Sequence, residues 1–173
     1  IAHVRIAGIE SVIEFRPDSS FAGYINVALN HAYGFGTITG GFFPDSPPSS
    51  SAFDLDHDQR LSLVGSATYT LGRTYISGTA IYGSGLTNGL DPSECGCRFG
   101  TGLFDFNNGI HVAPSTILNV SSGYSIPVRG TIVEPQVYVE NLFDRTYLLK
   151  GAFFSGPSVG RPRSIQLQVK VSF

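Results

Sequence analysis

The sequence predicts an all-β chain: an antiparallel transmembrane β-barrel segment of about seven strands. Three observations carry that expectation. The stretch Arg163–Phe173 sets Ile165, Leu167, Val169, Val171 and Phe173 in unbroken alternation with Ser164, Gln166, Gln168, Lys170 and Ser172, and successive strand side chains point to opposite faces. A strand of about 10 residues, tilted by about 45°, crosses a hydrocarbon core, whereas soluble strands run nearer ~5–6 residues. Secondly, the segments between alternating stretches are short and long by turns. Thirdly, no helix-period segment competes with the strands, and no apolar run reaches the ~18 residues of a membrane helix.

Taken in order, the first strand is expected over about Ile6–Arg16, with Ile9, Ile13 and Phe15 opposite Glu10, Glu14 and Arg16. Pro17-Asp18-Ser19-Ser20 has turn composition. The second, about Phe21–Tyr33, sets Phe21, Ile25, Val27 and Leu29 against Tyr24, Asn26, Ala28 and Asn30. A polar stretch over about 36–58 holds Pro44, Pro47 and Pro48. The third strand, about Gln59–Leu71, puts Leu61, Leu63, Ala67, Tyr69 and Leu71 on one side, and Gly72-Arg73 is a two-residue hairpin turn. The fourth, about Thr74–Gly83, carries Ile76, Gly78, Ala80 and Tyr82. Residues 84–114 are rich in Gly, Asn and Asp and hold no sustained period. The fifth strand is read over about Ser115–Ile126, with Leu118, Val120 and Tyr124 on one face, and the turn over 127–130. A sixth spans about Thr131–Asn141, with Val133, Val137 and Val139 outward. The loop 142–162 leads to the terminal strand.

Short turns at 17–20, 72–73 and 127–130 thus alternate with long loops at 36–58, 84–114 and 142–162. Outer-membrane barrels pair short periplasmic turns with long extracellular loops in this way, and several long structureless loops sit poorly in a compact soluble domain. Glu, Gln, Asn and Lys on the second face suit a wet lumen better than a dry sandwich core. On the terminal strand, Ile165, Leu167, Val169 and Val171 are expected to face lipid, with Gln166, Gln168 and Lys170 inward. Seven strands leave two open edges, which lipid does not tolerate. The chain is therefore expected to be part of a larger barrel.

Composition agrees. Of 173 residues only 14% are charged, against roughly 25% in an average soluble domain. A net charge of −2 and a pI near 6.1 argue against nucleic acid as a partner. Ile1 is not an initiator Met and Ala2–Arg16 already reads as strand, so the expectation is a mature, processed or partial chain.

The last third resembles a known family. Val139-Glu140-Asn141-Leu142-Phe143-Asp144-Arg145-Thr146-Tyr147 is similar to the N-L-F-D-x-x-Y element near the end of TonB-dependent outer-membrane receptors. Gly160-Arg161-Pro162-Arg163, followed by a strand ending on Phe173, resembles that family's terminal G-x-P-R strand. Asp56-His57-Asp58-Gln59-Arg60 and Tyr82-Gly83-Ser84-Gly85 look like further motifs of the same family. The resemblance implies a 22-stranded barrel, of which residues 1–173 are the C-terminal portion, plugged by an N-terminal domain that this chain does not contain. It also implies uptake of a scarce ligand (siderophore, cofactor or oligosaccharide), with energy passed from an inner-membrane partner. Further implied partners are outer-membrane lipid, the remaining N-terminal strands and plug, and the assembly machinery that reads a terminal aromatic such as Phe173. The implied location is the outer membrane of a Gram-negative bacterium.

Among residues that carry chemistry, Asn141, Asp144 and Tyr147 read as makers of side-chain-to-backbone bonds that shape a loop. Gly160 and Pro162 read as backbone punctuation, and Arg163 as a partner for Glu140. Asp54, Asp56, His57 and Asp58 place oxygen ligands together, as a Ca²⁺ site would, although Asp56–Asp58 are also explained as the lead-in to a strand. Cys95-Gly96-Cys97 reads as a disulfide candidate rather than zinc ligation, paired within the motif or with a cysteine elsewhere. Phe99, Phe104 and Phe106 are ligand-contact candidates in the 84–114 loop, or packers of that loop. No Ser/His/Asp spacing matches a nucleophile motif, so no catalytic set and no cofactor is expected. Three function classes follow: receptor or transporter first, a structural or adhesive surface barrel second, and an outer-membrane hydrolase using His111 third.

Overall fold

The computed structural model describes residues 3–36, 49–55, 58–89, 110–150 and 158–173. These form β1 (His3–Phe15), β2 (Phe21–Gly36), β3 (Ser49–Asp54), β4 (Leu61–Leu71), β5 (Thr74–Gly83), β6 (Thr87–Gly89), β7 (Ile110–His111), β8 (Ser115–Tyr124), β9 (Ile126–Val128), β10 (Thr131–Glu140), β11 (Leu148–Lys150), β12 (Ser158–Val159) and β13 (Ser164–Ser172), with no helix among the described residues. The main sheet runs β1-β2-β4-β5-β8-β10-β13, every pair antiparallel, with β3 added to β2 and β9 to β10. It is an open meander: β1 and β13 are its edges and are not paired to each other. Six antiparallel steps separate them, so they point the same way, and joining them would require a parallel pair.

Register decides what a single strand cannot, namely whether the apolar sets of different strands share a face. Directly opposed residues project to the same side of a sheet. Ile9 stands opposite Leu29, Leu29 opposite Leu61, Leu63 opposite Tyr82, Ala80 opposite Leu118, Val120 opposite Val139, and Val139 opposite Ile165. All seven apolar sets therefore lie on one face. The second face gathers Glu10, Glu14, Asn26, Ser66, Thr68, Ser77, Thr79, Ser121, Glu134, Gln136, Gln168 and Lys170. Hydrogen bonds join its side chains: Asn26 Nδ2 donates to Glu10 Oε1 at 3.0 Å and Thr68 Oγ1 to Ser77 Oγ at 2.8 Å across strands, and Gln136 Nε2 to Glu134 Oε1 at 2.5 Å along β10.

The described residues cover neither face. Among the described residues, the buried apolar side chains are Val112 and Ile117 alone, while Ile9 is 70% and Leu167 84% exposed. Among the described residues no second sheet packs on the apolar side, as it would in a sandwich. Ile165, Leu167, Val169 and Val171 are all exposed there, but so are Gln166, Gln168 and Lys170 on the other face.

Turn chemistry explains the short ends. Asp18 Oδ1 accepts from the N–H of Ser20 and of Phe21, at 2.7 and 2.9 Å, closing the 17–20 turn as an Asx turn. Gly72, at φ +61°, supplies the left-handed residue of a two-residue hairpin. Arg129 and Gly130 are both left-handed, at φ 48° and 88°, which makes Val128–Thr131 a type I′ hairpin.

Several expected boundaries move. The first strand starts at His3 rather than Ile6, and the second runs on to Gly36. The expected loop 36–58 contains β3, and the loops 84–114 and 142–162 contain the hairpins β6/β7 and β11/β12. The third strand begins at Leu61 instead of Gln59, because Gln59 bridges to Leu86 outside the ladder. The expected turn 127–130 shrinks to Arg129-Gly130, since Pro127 pairs with Ile132 and Val128 with Thr131. The break between β8 and β9 also has a cause. The register that pairs Gln136 with Gly123 puts Pro135 opposite Tyr124, and proline has no N–H for the ladder.

Candidate functional site

The long-loop end of the sheet concentrates the charged and buried polar groups. Asp58, its side chain only 1% exposed, sits where the chain returns from β3 to β4. Its Oδ1 accepts from the Ala32 N–H of β2 at 2.8 Å, and its Oδ2 from Arg60 Nε at 2.5 Å. Arg60 Nη2 reaches Asp54 Oδ1 at 2.7 Å, and His31 Nε2 lies 3.3 Å from the same oxygen. A buried carboxylate needs such partners, and a guanidinium meets two carboxylates through its planar fork.

Two of the expected metal ligands, Asp54 and Asp58, are thus brought together, and His31 joins them with ligand atoms all within 4.8 Å of one another. Arg60 already holds both carboxylates, in the place a cation would take. Asp56 and His57 lie outside the described residues. The Asp58–Arg60 pairing was open to reading as a short-range charge pair around the strand start. His31, from a different strand, offered no such sign.

The Asp58 carbonyl accepts from the Thr87 N–H at 2.9 Å and from Thr87 Oγ1 at 3.2 Å, and that hydroxyl lies 2.8 Å from His111 Nε2. The network ties the start of β4 to the β6/β7 hairpin. Thr87 is fully buried, so the hydroxyl beside His111 is closed to a substrate. Nothing local in the sequence announced Thr87, because its partners stand 24 and 29 residues away.

A second cluster closes the loop between β10 and β13. Asn141 is 1% exposed and left-handed at φ 51°, which Asn tolerates better than most residues. Its Nδ2 donates to the carbonyls of Arg145 and Arg161, at 2.9 and 3.0 Å. Its Oδ1 accepts from the Arg145 N–H at 2.9 Å, and its own N–H donates to Asn119 Oδ1 at 2.9 Å. Asp144, also left-handed at φ 52°, accepts the Arg163 N–H at 2.8 Å. Gly160 accepts no Cβ, because the Tyr147 ring occupies that space. Pro162 lies between Gly160 and the start of β13. Asn141, Asp144, Tyr147, Gly160 and Arg163 therefore meet in one clasp.

Arg163 does not meet Glu140; Arg161 Nη1 does, at 4.0 Å. Alternation is the reason. Ser164 stands opposite Glu140, so Arg163, one residue earlier, projects to the other face.

The apolar face has aromatic borders. At the short-turn end it shows Phe15, Phe21, Tyr69 and Tyr124, with the Phe15 and Phe21 rings 5.6 Å apart. At the long-loop end it shows Tyr33, Phe35 and Tyr82. From Phe21 to Tyr33 along β2 is about 40 Å of strand at ~3.4 Å per residue, or about 28 Å of height at a tilt of about 45°. Phe173 lies just past β13 and is fully exposed. Cys95, Cys97, Phe99, Phe104 and Phe106 lie outside the described residues.

Against known proteins, the chain matches no family model, no curated protein and no solved structure.

Proposed function

We propose that this chain is the C-terminal barrel portion of a TonB-dependent outer-membrane receptor that takes up a scarce ligand. The observation that carries the reading is the single face on which the apolar sets of all seven long strands line up. Its height, bordered by aromatics at both ends, agrees with the ~25 Å apolar band and aromatic girdles of transmembrane barrels. A face of that size left bare in water would be an aggregation surface; in lipid it is at rest. The polar face then lines the lumen, and the free edges of β1 and β13 take the remaining strands of the barrel.

The specific family rests on the clasp. The residues that resemble the N-L-F-D-x-x-Y and G-x-P-R elements are the ones that converge around Asn141, Asp144 and Tyr147. On this reading a plug domain fills the lumen and contacts the inner-membrane energy-coupling protein. Phe173, at the short-turn end of the last strand, is read by the assembly machinery. Ligand recognition falls to the long-loop end, with Phe99, Phe104 and Phe106 as anchors.

The test uses the intact gene. Uptake of ferric siderophores, cobalamin and oligosaccharides is measured in cells with and without the energy-coupling protein. Uptake that requires both the receptor and that partner supports the proposal; an intact gene lacking any plug sequence refutes it. Deleting residues 88–110 while monitoring surface folding then asks whether that loop recognises the ligand. Unchanged uptake by a well-folded deletion removes it from the site.

A further inference from the structure

Among the seven long strands, Arg5 alone sets a formal charge on the apolar face; the short β3 adds Asp54 to the same side, opposite Tyr33, where Arg60 holds it. On β1 Arg5 stands opposite Tyr33, and the rings around it form a plate. His3 stacks on Phe35 with centroids 4.4 Å apart, His31 lies 4.6 Å from Tyr33, and Tyr33 meets Phe35 edge-on at 5.4 Å. The neighbouring charges are already committed, since Asp54 and Asp58 hold Arg60 and Asp54 faces His31. Arg5 makes no ion pair among the described residues and is exposed.

Its depth is as telling as its want of an ion pair among the described residues. Ten residues separate Arg5 from Phe15, which is about 34 Å of strand and about 24 Å of height at a tilt of about 45°. If Phe15 marks one interface of a ~25 Å band, Arg5 lies at the opposite one. A cation facing lipid is costly at mid-depth and nearly free at the interface, where headgroup phosphates come within reach of a guanidinium. Aromatic rings are likewise at home at headgroup level.

We propose that Arg5, framed by His3, His31, Tyr33 and Phe35, docks the phosphate of a lipid headgroup in the leaflet on the long-loop side. The guanidinium pairs with the phosphate, and the ring plate supports the lipid's polar–apolar boundary. The site faces away from the lumen, so it serves to seat the barrel in its membrane and is separate from ligand uptake. This inference rests on the membrane reading above, and the two fail differently.

The intact protein is reconstituted into phosphatidylcholine vesicles containing either diphosphoryl lipid A or its dephosphorylated form. Flotation reports insertion, and native mass spectrometry reports the lipid retained per protein. Wild type is expected to retain the diphosphoryl form preferentially. Arg5→Ala should lose about fivefold in that retention, the effect of one cation near a charged headgroup, while Arg5→Lys keeps most of it. Inorganic phosphate should not displace the lipid; displacement would mean a free-anion site and overturn the lipid assignment. Wild type that inserts but retains both lipids equally would overturn this inference alone. Wild type that fails to float sinks the membrane reading with it. Should Arg5→Ala misfold, the two lipid arms on wild type and Arg5→Lys still decide the matter.

Discussion

The ring of Tyr147 lies where a side chain on Gly160 would have to stand. These residues are thirteen apart in sequence and flank the β11/β12 hairpin, and the Gly160 N–H also donates to the Tyr147 carbonyl at 2.8 Å. The loop between β10 and β13 is thus fastened at its base by one ring against one bare backbone. Gly160→Val should displace the ring and destabilise the folded intact protein by about 1–3 kcal/mol, the usual cost of overpacking. Urea unfolding of the barrel in vesicles measures it, and an unchanged midpoint would show that the ring is free to move aside.

Asn141 should be harder to replace than its neighbours. Its side chain satisfies two carbonyls and one N–H, and unpaired buried polar groups cost about 1–3 kcal/mol each. Asn141→Ala is expected to lose on the order of 3 kcal/mol or more. Asn141→Gly relieves the left-handed backbone yet strands the same partners, so it should remain destabilised. Full recovery in the glycine variant would make backbone conformation, and not hydrogen bonding, the reason for asparagine.

Removing Arg60 should expose the charge of Asp58. Arg60→Met leaves a carboxylate 1% exposed without its counter-ion, and breaking such a pair from one side costs about 3–5 kcal/mol. Adding Asp58→Asn should recover much of that loss. Ca²⁺ or Zn²⁺ should leave the melting temperature of wild type unmoved but raise that of Arg60→Met, where His31, Asp54 and Asp58 stand without the guanidinium. A clear metal-induced rise in wild type would mean that Arg60 yields to an ion.

The two faces of β13 should respond oppositely to charge. Leu167→Lys puts a cation on the apolar face near mid-strand, at a cost of about 2–4 kcal/mol in a bilayer. Gln168→Lys, one residue on, adds charge to the polar face and should fold normally. The folded fraction in vesicles separates them, and equal yields would contradict a lipid-facing surface.

Phe173→Asp should reduce the amount of intact protein assembled in the membrane while leaving the ligand affinity of the folded fraction unchanged. Normal assembly combined with weakened binding would assign the ring to the site instead.

Strand identity was legible in the sequence wherever one face was uniformly apolar. Period-2 alternation is a local property, so Ile9, Leu63 or Val169 declared its side without knowledge of any neighbour. Turn positions were legible where the chain needed a special backbone, as at Asp18 and Gly72. What alternation cannot convey is pairing. That all seven apolar sets share one face, that Arg5 joins them there, and that Arg163 turns away from Glu140 all follow from register, which couples residues on different strands. The same holds for Asp58 with Thr87 and for Asn141 with Asn119. Such contacts join residues 22 to 29 positions apart, and a buried polar group takes whichever partner the folded chain delivers to it.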